Sequence, residues 1–254
     1  MILSSVIIIL REALEAALLV SLLLALSNRL HFPKRWIAFA FTGGIAGAIL
    51  FAEFLAGISS LFDGTGQEVV NASLHFLITA MLAATVIFWL SRPMANNLLW
   101  PMAIAVAAAI VREGSEIWIF YSGFISDPDI FINTILGGTI GLFIGVSVGA
   151  LLYYVLTLLQ PVPNRWLSIG LLALVAAGMC SQAINSLTQA DYLSSSAAVW
   201  NSSSIIDENS IPGQLLYALI GYEATPTLPQ VICYALVFCG FIGMGWWLHR
   251  KLPQ

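Results

Sequence analysis

Charged side chains are scarce in this sequence. Only 9% of its 254 residues are Asp, Glu, Lys or Arg, whereas 59% are hydrophobic and the mean hydropathy is +0.93. A soluble domain carries roughly a quarter charged residues, so this chain has too few to cover a surface that faces water. Soluble enzymes and disordered scaffolds are therefore excluded. Nucleic-acid-binding proteins are excluded as well, because nine Lys and Arg residues provide no basic surface for a polyanion.

Cysteine and histidine are also sparse, with three residues of each. Cys180, Cys233 and Cys239 all lie in apolar stretches and form no C-x-x-C pair. They are predicted to be small core residues and to form neither a disulfide framework nor a zinc site. His75 lies in an apolar stretch too, and it is predicted to be a hydrogen-bonded interior residue and not a metal ligand.

Long apolar stretches make up most of the chain. A bilayer core of about 30 Å requires about 20 apolar residues in a helix. Seven stretches reach this length, which predicts an all-α integral membrane protein with seven transmembrane helices in a single domain over 1–254. The predicted spans are 2–27, 36–61, 69–90, 99–124, 130–159, 166–188 and 228–249.

The basic residues between the predicted spans all fall on one side of the membrane. They lie in the loops after the first, third and fifth spans and after the seventh, whereas the opposite loops contain acidic residues but neither Lys nor Arg. By the positive-inside rule, the N-terminus is outside and the C-terminus is on the cytoplasmic side of the cell membrane. The basic residues are Arg29, Lys34, Arg35, Arg92, Arg165, Arg250 and Lys251.

Two arginines remain, and each begins the same motif inside a predicted span. Arg11 opens R-E-A-L-E in the first span, and Arg112 opens R-E-G-S-E in the fourth. Charged groups at mid-bilayer are costly and normally face a bundle interior with a functional role. Because residues four apart share a helix face, each arginine is placed to pair with the last glutamate of its own motif. The motifs together carry two positive and four negative charges, so a cation would balance the remainder.

The sequence also repeats itself on a larger scale. Both motifs fall near the membrane midplane on helices that run in opposite directions, and the glycine cluster at 43–47 resembles the one at 137–141. The chain is predicted to contain an inverted repeat of three plus three helices, and transporters commonly bind substrate between such repeats. The glycines are predicted to let another helix approach closely. The predicted boundaries are about 1–92 for repeat one, about 98–190 for repeat two, about 189–227 for an outer loop and about 228–249 for one extra C-terminal helix.

The motif glutamates are candidate metal ligands. Carboxylate oxygens suit hard cations, and neither motif contains Cys, His or Met. Copper(I) and zinc are therefore poor candidates, whereas iron, manganese, magnesium and calcium remain. The candidate ligands are Glu12, Glu15, Glu113 and Glu116, with Arg11 and Arg112 as supporting ion pairs.

Five further acidic residues are candidates for a role at the outer mouth or in a relay. A lone carboxylate inside a span is a functional candidate by default, whereas a carboxylate in a loop is equally well explained as solvated charge. The Ser- and Asn-rich outer loop is predicted to be a solvated connector. The five candidates are Glu53, Asp63, Glu68, Asp207 and Glu208.

Two intramembrane R-E-x-x-E motifs, in the first and fourth of seven spans, resemble the oxidase-dependent iron permease family. That family includes fungal high-affinity iron permeases and bacterial EfeU-type iron permeases. The resemblance covers nearly the whole chain and includes G-Q-E at 66–68 and the segment 213–222. The chain departs from the family pattern at Ala13, where many members have glycine, and at Asn71, where many have a second acidic residue.

The resemblance implies an iron permease that moves ferrous iron, or ferric iron after oxidation, across the cytoplasmic membrane into the cell. It implies a transporter and not an enzyme, with iron as the substrate, no permanently bound cofactor and no nucleic-acid partner. The chain has no C-x-x-C-H haem motif and no multicopper cluster, so any ferroxidase step falls to an extracytoplasmic oxidase or iron-delivery partner. The alternatives are a transporter of another hard divalent cation such as manganese and a seven-helix receptor.

Overall fold

The chain folds into a bundle of helices. The computed structural model describes residues 2–91, 96–158, 165–208 and 210–251, so the predicted inner-side residue Arg92 lies outside the described residues. Within these ranges there are nine α-helices and no strand beyond one isolated bridge. The helices are α1 (Ile2–Arg29), α2 (Arg35–Glu53), α3 (Leu55–Ser60), α4 (Gly66–Leu90), α5 (Asn96–Ser122), α6 (Pro128–Leu158), α7 (Arg165–Gln189), α8 (Ile211–Ile220) and α9 (Leu228–Lys251).

Five of these helices are long and apolar enough to cross a membrane by length and composition, namely α2, α4, α6, α7 and α9. Helices α1 and α5 are 28 and 27 residues long, but each carries three motif charges near its middle. The expectation of an all-α membrane protein is therefore confirmed at this level.

The predicted second span, 36–61, is interrupted. Helix α2 ends at Glu53, and Phe54 has φ −95° and ψ 8° before α3 resumes. The Phe54 amide still donates to the Leu50 carbonyl at 3.0 Å, so the interruption is local. Neither proline nor glycine marks it in the sequence, which explains why the apolar pattern predicts one continuous helix.

The predicted outer loop is not irregular throughout, because α8 lies within it. The Ser210 hydroxyl accepts a hydrogen bond from the Gly213 amide at 3.2 Å, and Pro212 follows in the first turn. Both features are typical of a helix start. The helix ends at Gly221, whose φ of 65° lies in the left-handed region that favours glycine.

Helix α8 rests on the bundle at a close contact between two glycines. A Cβ added to Gly221 would lie 2.3 Å from the Cα atom of Gly178 in α7. Since no side chain fits between these backbones, both positions require glycine. This contact brings α8 against α7, and α8 also packs against α1.

One expectation about the cysteines is also wrong. The structure joins Cys180 of α7 to Cys233 of α9 in a disulfide, with 6.4 Å between their Cα atoms. Cys239 is free and exposed. The two paired cysteines are 53 residues apart, and local spacing does not reveal that α7 and α9 are neighbours.

Glycines of α6, among them Gly141, Gly145 and Gly149, form the contact with α1. The prediction that glycines let another helix approach closely is therefore confirmed. A Cβ added to Gly141 would lie 2.4 Å from the Val6 carbonyl oxygen, and one added to Gly145 would lie 2.7 Å from the Ala13 Cβ. The Ser21 hydroxyl donates to the Gly149 carbonyl at 2.6 Å, further along the same contact. Helix α1, which carries the first motif, is therefore held directly against the α6 backbone.

Helix α5, which carries the second motif, packs on glycines of α2 in a similar way. A Cβ added to Gly44 would lie 2.7 Å from the Ile110 Cβ, and one added to Gly47 would lie 2.5 Å from the Val111 Cγ2. Each motif helix therefore packs on the glycine-bearing helix of the other predicted repeat.

Gly141→Ala tests the importance of the α1–α6 contact. Its new methyl group has no room beside the Val6 carbonyl, and overpacking of this kind costs about 1–3 kcal/mol. We expect a lower melting temperature and a lower yield of folded protein in detergent. Gly43→Ala is the matched control, because its Cβ would lie 4.0 Å from its nearest neighbour, an ordinary contact. Equal stability of the two variants would contradict this view of the contact.

The apolar core lies inside the bundle around α7, the most buried of the five apolar long helices. Leu172 and Ala176 of α7 are fully buried, as are Leu23 of α1, Ile78 of α4 and Met102 of α5. By contrast, α9 is mostly exposed, as expected of a helix whose apolar surface faces lipid. The two motif helices therefore meet in a rigid, well-packed interior.

Candidate functional site

The two R-E-x-x-E motifs meet where α1 crosses α5. The Arg112 Nη1 atom lies 2.6 Å from the Glu15 Oε2 atom and links the two helices directly. Glu12 lies close to both Glu113 and Glu116. Glu12, which precedes Glu15 on α1, thus lies near Glu113 and Glu116, which follow Arg112 on α5. This order of contacts is expected when two helices run antiparallel.

Arg112 is the centre of this charge network. Only 4% of its surface is exposed, and it contacts three carboxylates. Besides Glu15, its Nη1 atom lies 2.6 Å from Glu113 Oε1 and its Nη2 atom 3.1 Å from Glu116 Oε1. A buried guanidinium is stable only when it is paired and hydrogen-bonded in this way. The predicted pairing of Arg112 with Glu116 is confirmed, and the contact with Glu15 extends it to the other helix.

Arg11 occupies a more open position. Its side chain is 41% exposed, and its Nε atom lies 3.4 Å from Glu15 Oε1, which confirms the predicted pairing within the first motif. Its guanidinium also lies 4.4 Å from the ring centroid of Tyr217 on α8, a cation–π contact. Glu15 is therefore contacted by both arginines, although only Arg112 is enclosed.

The carboxylates retain oxygen atoms that the network does not use. Glu12 Oε2 and Glu113 Oε2 are buried without a hydrogen-bond partner among the described residues. Within the same residues, no three acidic, His or Cys side chains are already grouped to hold a metal ion. The network thus has spare anionic oxygens but holds its carboxylates against arginine, so binding a cation at these oxygens requires them to rearrange.

A polar cavity of about 360 Å³ reaches the network from one side. It lies between α4, α5 and α7, and Glu116 is the network residue in its wall. Asn71 of α4 also lines it and donates from Nδ2 to Glu116 Oε1 at 3.3 Å. Glu68 lines the same cavity, as do Ser186 and Gln189 of α7. This cavity offers a cation a hydrophilic route to Glu116.

A second cavity, of about 480 Å³, reaches the network between α1, α2, α5 and α6. Glu12 and Glu113 are the acidic residues in its wall, and most of its other lining is apolar. The two cavities therefore end at different carboxylates. Arg112, which is bonded to both Glu113 and Glu116, lies between those ends.

The five secondary candidates are dispersed. Glu53 is exposed at the last residue of α2, and Asp63 is exposed in a turn with a φ of 59°. Neither lines the two cavities that reach the network, whereas Glu68 lines the polar one. The structure therefore brings Glu68 towards the motifs but not Glu53 or Asp63.

Asp207 and Glu208 lie in the outer loop, away from the motifs. The Asp207 carbonyl accepts a hydrogen bond from the Ser210 amide at 3.0 Å, and the Glu208 carboxylate accepts one from the Ala224 amide. The first contact is local to the loop, and the second holds the loop to the segment after α8. Burial and the nearby Glu208 carboxylate raise the pKa of Glu223 in that segment to about 7.

Sequence reasoning did not identify two residues that contact the network. Asn71 bonds Glu116, and Tyr217 stacks on Arg11. Asn71 has a signal in the sequence, because it is a polar residue in an apolar helix on the same face as Glu68. Tyr217 has no such signal, since its role depends on the docking of α8 against α1.

Long apolar helices that enclose paired charges, with cavities reaching those charges, define a multi-pass membrane transporter. The chain belongs to the iron permease FTR1 family, whose model matches residues 2–248. It is accordingly a permease and not an enzyme, which removes the receptor alternative.

Curated relatives agree with this assignment. The chain is 27% identical over 253 residues to a protein named ferrous iron permease EfeU from Escherichia coli O6:H1, and the match covers 88% of each chain. It is 25% identical over 256 residues to one of the same name from Yersinia pestis, covering 89% of this chain and 87% of the relative. No solved structure matches the chain significantly.

Proposed function

We propose that this chain moves iron ions into the cell across the cytoplasmic membrane, between α1 and α5. The observation that carries the proposal is the convergence of both R-E-x-x-E motifs in one buried network. Glu12, Glu15, Glu113 and Glu116 bind the ion during its passage. The arginines neutralise these carboxylates when no ion is bound, so that they need not remain as unpaired buried charges.

In this proposal the single domain has seven spans, with α1 and α5 crossing the membrane despite their charges. The first three spans are α1, α2 with α3, and α4, and their inverted counterparts are α5, α6 and α7. The packing supports this repeat, because α1 packs on α6 as α5 packs on α2. Helix α9 is the extra span. The predicted outer loop at about 189–227 then includes α8.

We assign the helix ends that carry basic residues to the cytoplasmic side of the membrane. The Arg29 Nη1 atom at the end of α1 donates to the Ser168 hydroxyl at the start of α7 at 3.0 Å, so these two ends lie on one side. Arg35 begins α2 and Arg250 lies in the last turn of α9, consistent with the same side. The positive-inside rule then places the polar cavity outside and the N-terminus outside.

Ferrous iron is the proposed substrate, which the names of the curated relatives support. The alternative within this proposal is that the chain transports ferric iron. That alternative requires a second protein, an extracytoplasmic oxidase or delivery partner, to supply the ferric iron. Carboxylate ligands alone do not separate iron from manganese, so manganese belongs in the test as a competitor.

The test is uptake of iron-55 into proteoliposomes that contain the purified chain, with ferrous and ferric iron supplied separately. We expect saturable ferrous uptake that excess manganese does not abolish. Glu15→Gln should remove this uptake, because Glu15 is the carboxylate that both arginines contact.

Glu53→Gln is the matched control, since it removes an exposed carboxylate outside the network. It should transport iron at the wild-type rate. Undiminished iron uptake by the Glu15→Gln variant would overturn the proposed route. Manganese uptake without iron uptake would identify a different substrate, and ferric uptake alone would reverse the proposed oxidation state.

A further inference from the structure

Beyond the polar cavity, polar side chains continue deeper into the bundle along a seam between α4 and α7. Glu68, Asn71 and His75 share one face of α4, and Gln182, Ser186 and Gln189 share one face of α7, because residues three, four and seven apart align on a helix. Four of these six residues, Glu68, Asn71, Ser186 and Gln189, line the polar cavity. His75 and Gln182 lie one turn further in on their helices.

His75 and Gln182 meet at the deep end of this seam. The two side chains lie next to each other, and His75 is close enough to the Arg112 guanidinium to interact with it electrostatically. His75 is 2% exposed and Gln182 is 4% exposed. At 1.5 Å per residue, His75 lies about 13 Å from the start of α4 and Gln182 about 10 Å from the end of α7, so their depths agree.

The donor atoms of this pair are not occupied by protein partners. Neither ring nitrogen of His75 has a hydrogen bond among the described residues, and the same is true of Gln182 Oε1. Glu68 Oε2 and Asn71 Oδ1, further out along the same seam, are also buried without a partner. The prediction that His75 is an interior residue is confirmed, with Gln182 as the polar side chain beside it. Buried polar atoms without partners are costly, so a cluster of them requires an explanation.

We propose that His75 and Gln182 form a second binding position for the transition-metal cargo, one turn deeper in the bundle than the polar cavity and next to Glu116. Asn71 links the two positions, because it lies one turn from His75 and donates to Glu116. The site rests on the proposed iron transport for the identity of its cargo. Its ligands are one imidazole nitrogen and amide oxygens.

Such a site gives the transporter a selectivity that carboxylates lack. Imidazole suits iron and other transition metals, whereas calcium and magnesium prefer oxygen ligands. An ion that is bound by a nitrogen donor as well as by carboxylates is therefore selected by ligand type and not by charge alone. His75 is accordingly proposed as the residue that discriminates iron from calcium and magnesium.

The direct test is nitrogen coordination of bound iron. The chain has three histidines, so the experiment uses a tag without histidine and a His31→Gln, His249→Gln background. Purified protein is loaded anaerobically with Fe²⁺ and treated with nitric oxide, which converts the EPR-silent integer-spin iron into a half-integer-spin nitrosyl complex that EPR detects. We expect electron spin echo modulation from a coordinated imidazole nitrogen, lost in His75→Gln and retained in the matched control Ser73→Ala, which changes an exposed residue of the same helix.

Transport provides a second readout. His75→Gln should raise the half-saturating iron concentration about tenfold, and it should lower by a similar factor the calcium concentration that halves iron uptake. Gln182→Leu should raise the half-saturating iron concentration while keeping the nitrogen signal. Melting temperatures in detergent identify any variant that does not fold. If His75→Gln does not fold, Gln182→Leu tests the site instead.

Two outcomes would overturn the proposal: iron that binds without nitrogen modulation, and a calcium sensitivity that His75→Gln leaves unchanged. Neither would touch the proposed function, provided that the wild-type chain transports iron. Conversely, a wild-type chain that transports no iron but whose bound iron shows nitrogen modulation lost in His75→Gln would support this site and remove the proposed function.

Discussion

Arg112→Ala is expected to eliminate most of the folded protein. The change leaves Glu15 and Glu113 buried without their shared partner, and both are at most 3% exposed. Removing one side of a buried ion pair costs about 3–5 kcal/mol, a large share of the stability of a typical domain. Folded yield by size-exclusion chromatography in detergent and the melting temperature measure the loss.

Arg11→Ala serves as the matched control, because Arg11 is 41% exposed and its contact with Glu15 is longer, at 3.4 Å. Its effect on yield should be clearly smaller. Glu113→Gln in the Arg112→Ala chain should restore part of the yield, since it removes one of the stranded charges. If the two arginine variants lose the same amount of folded protein, the assignment of Arg112 as the centre of the network is wrong.

This asymmetry between the arginines lies beyond what the sequence predicts. The spacing of the motifs predicts that Arg11 pairs with Glu15 and Arg112 with Glu116, and both pairs are present. A helical face is a local property, so spacing is sufficient for that step. Which arginine is enclosed depends on the helices that surround each one, and the motif carries no information on this.

The glycine pattern illustrates a prediction that sequence supports well. Glycines four residues apart predict a close helix contact, and Gly141 and Gly145 make one. The identity of the neighbouring helix, α1, follows only from the tertiary fold. The Cys180–Cys233 link and the docking of Tyr217 on Arg11 are missed for the same reason, because each joins residues far apart in sequence.

His75 shows the limit most clearly. A histidine in an apolar helix is predicted to be an interior residue, and His75 is buried as predicted. Its neighbour, Gln182 of α7, is not predicted, because it lies on a helix far along the chain. The two polar faces of α4 and α7 are each visible in the sequence, but their convergence is not.

The two cavities and the network suggest how passage is controlled. The polar cavity ends at Glu116 and the second cavity ends at Glu12 and Glu113, while Arg112 is bonded between them. A cation that binds Glu116 competes with Arg112 for that carboxylate. Under the proposed function, release of Arg112 from Glu116 weakens the ion pairs that separate the two cavities. The arriving ion thereby gains access to Glu12 and Glu113.

Glu116→Gln is expected to reduce iron uptake strongly while the protein stays folded. The Glu116 side chain is 29% exposed and lines the polar cavity, and its buried partner Arg112 keeps two other carboxylates, Glu15 and Glu113, when this charge is lost. A glutamine oxygen still accepts from Arg112 and Asn71, which preserves the packing. The amide lacks the negative charge that draws a cation from the cavity, and we expect iron-55 uptake at low iron to fall by about ten- to hundredfold, the range already seen for changes that only support a metal ligand.

Glu116→Asp tests whether iron uptake depends on the negative charge of this side chain or on its length. It keeps the carboxylate but shortens the side chain, so it should retain more uptake than Glu116→Gln if the negative charge dominates. The Glu53→Gln control loses an exposed carboxylate and should leave uptake unchanged. Wild-type uptake by Glu116→Gln, with an unaltered melting temperature, would mean that the ion does not pass Glu116. The polar cavity would then not be its route, and the arginine would have no competitor at that carboxylate.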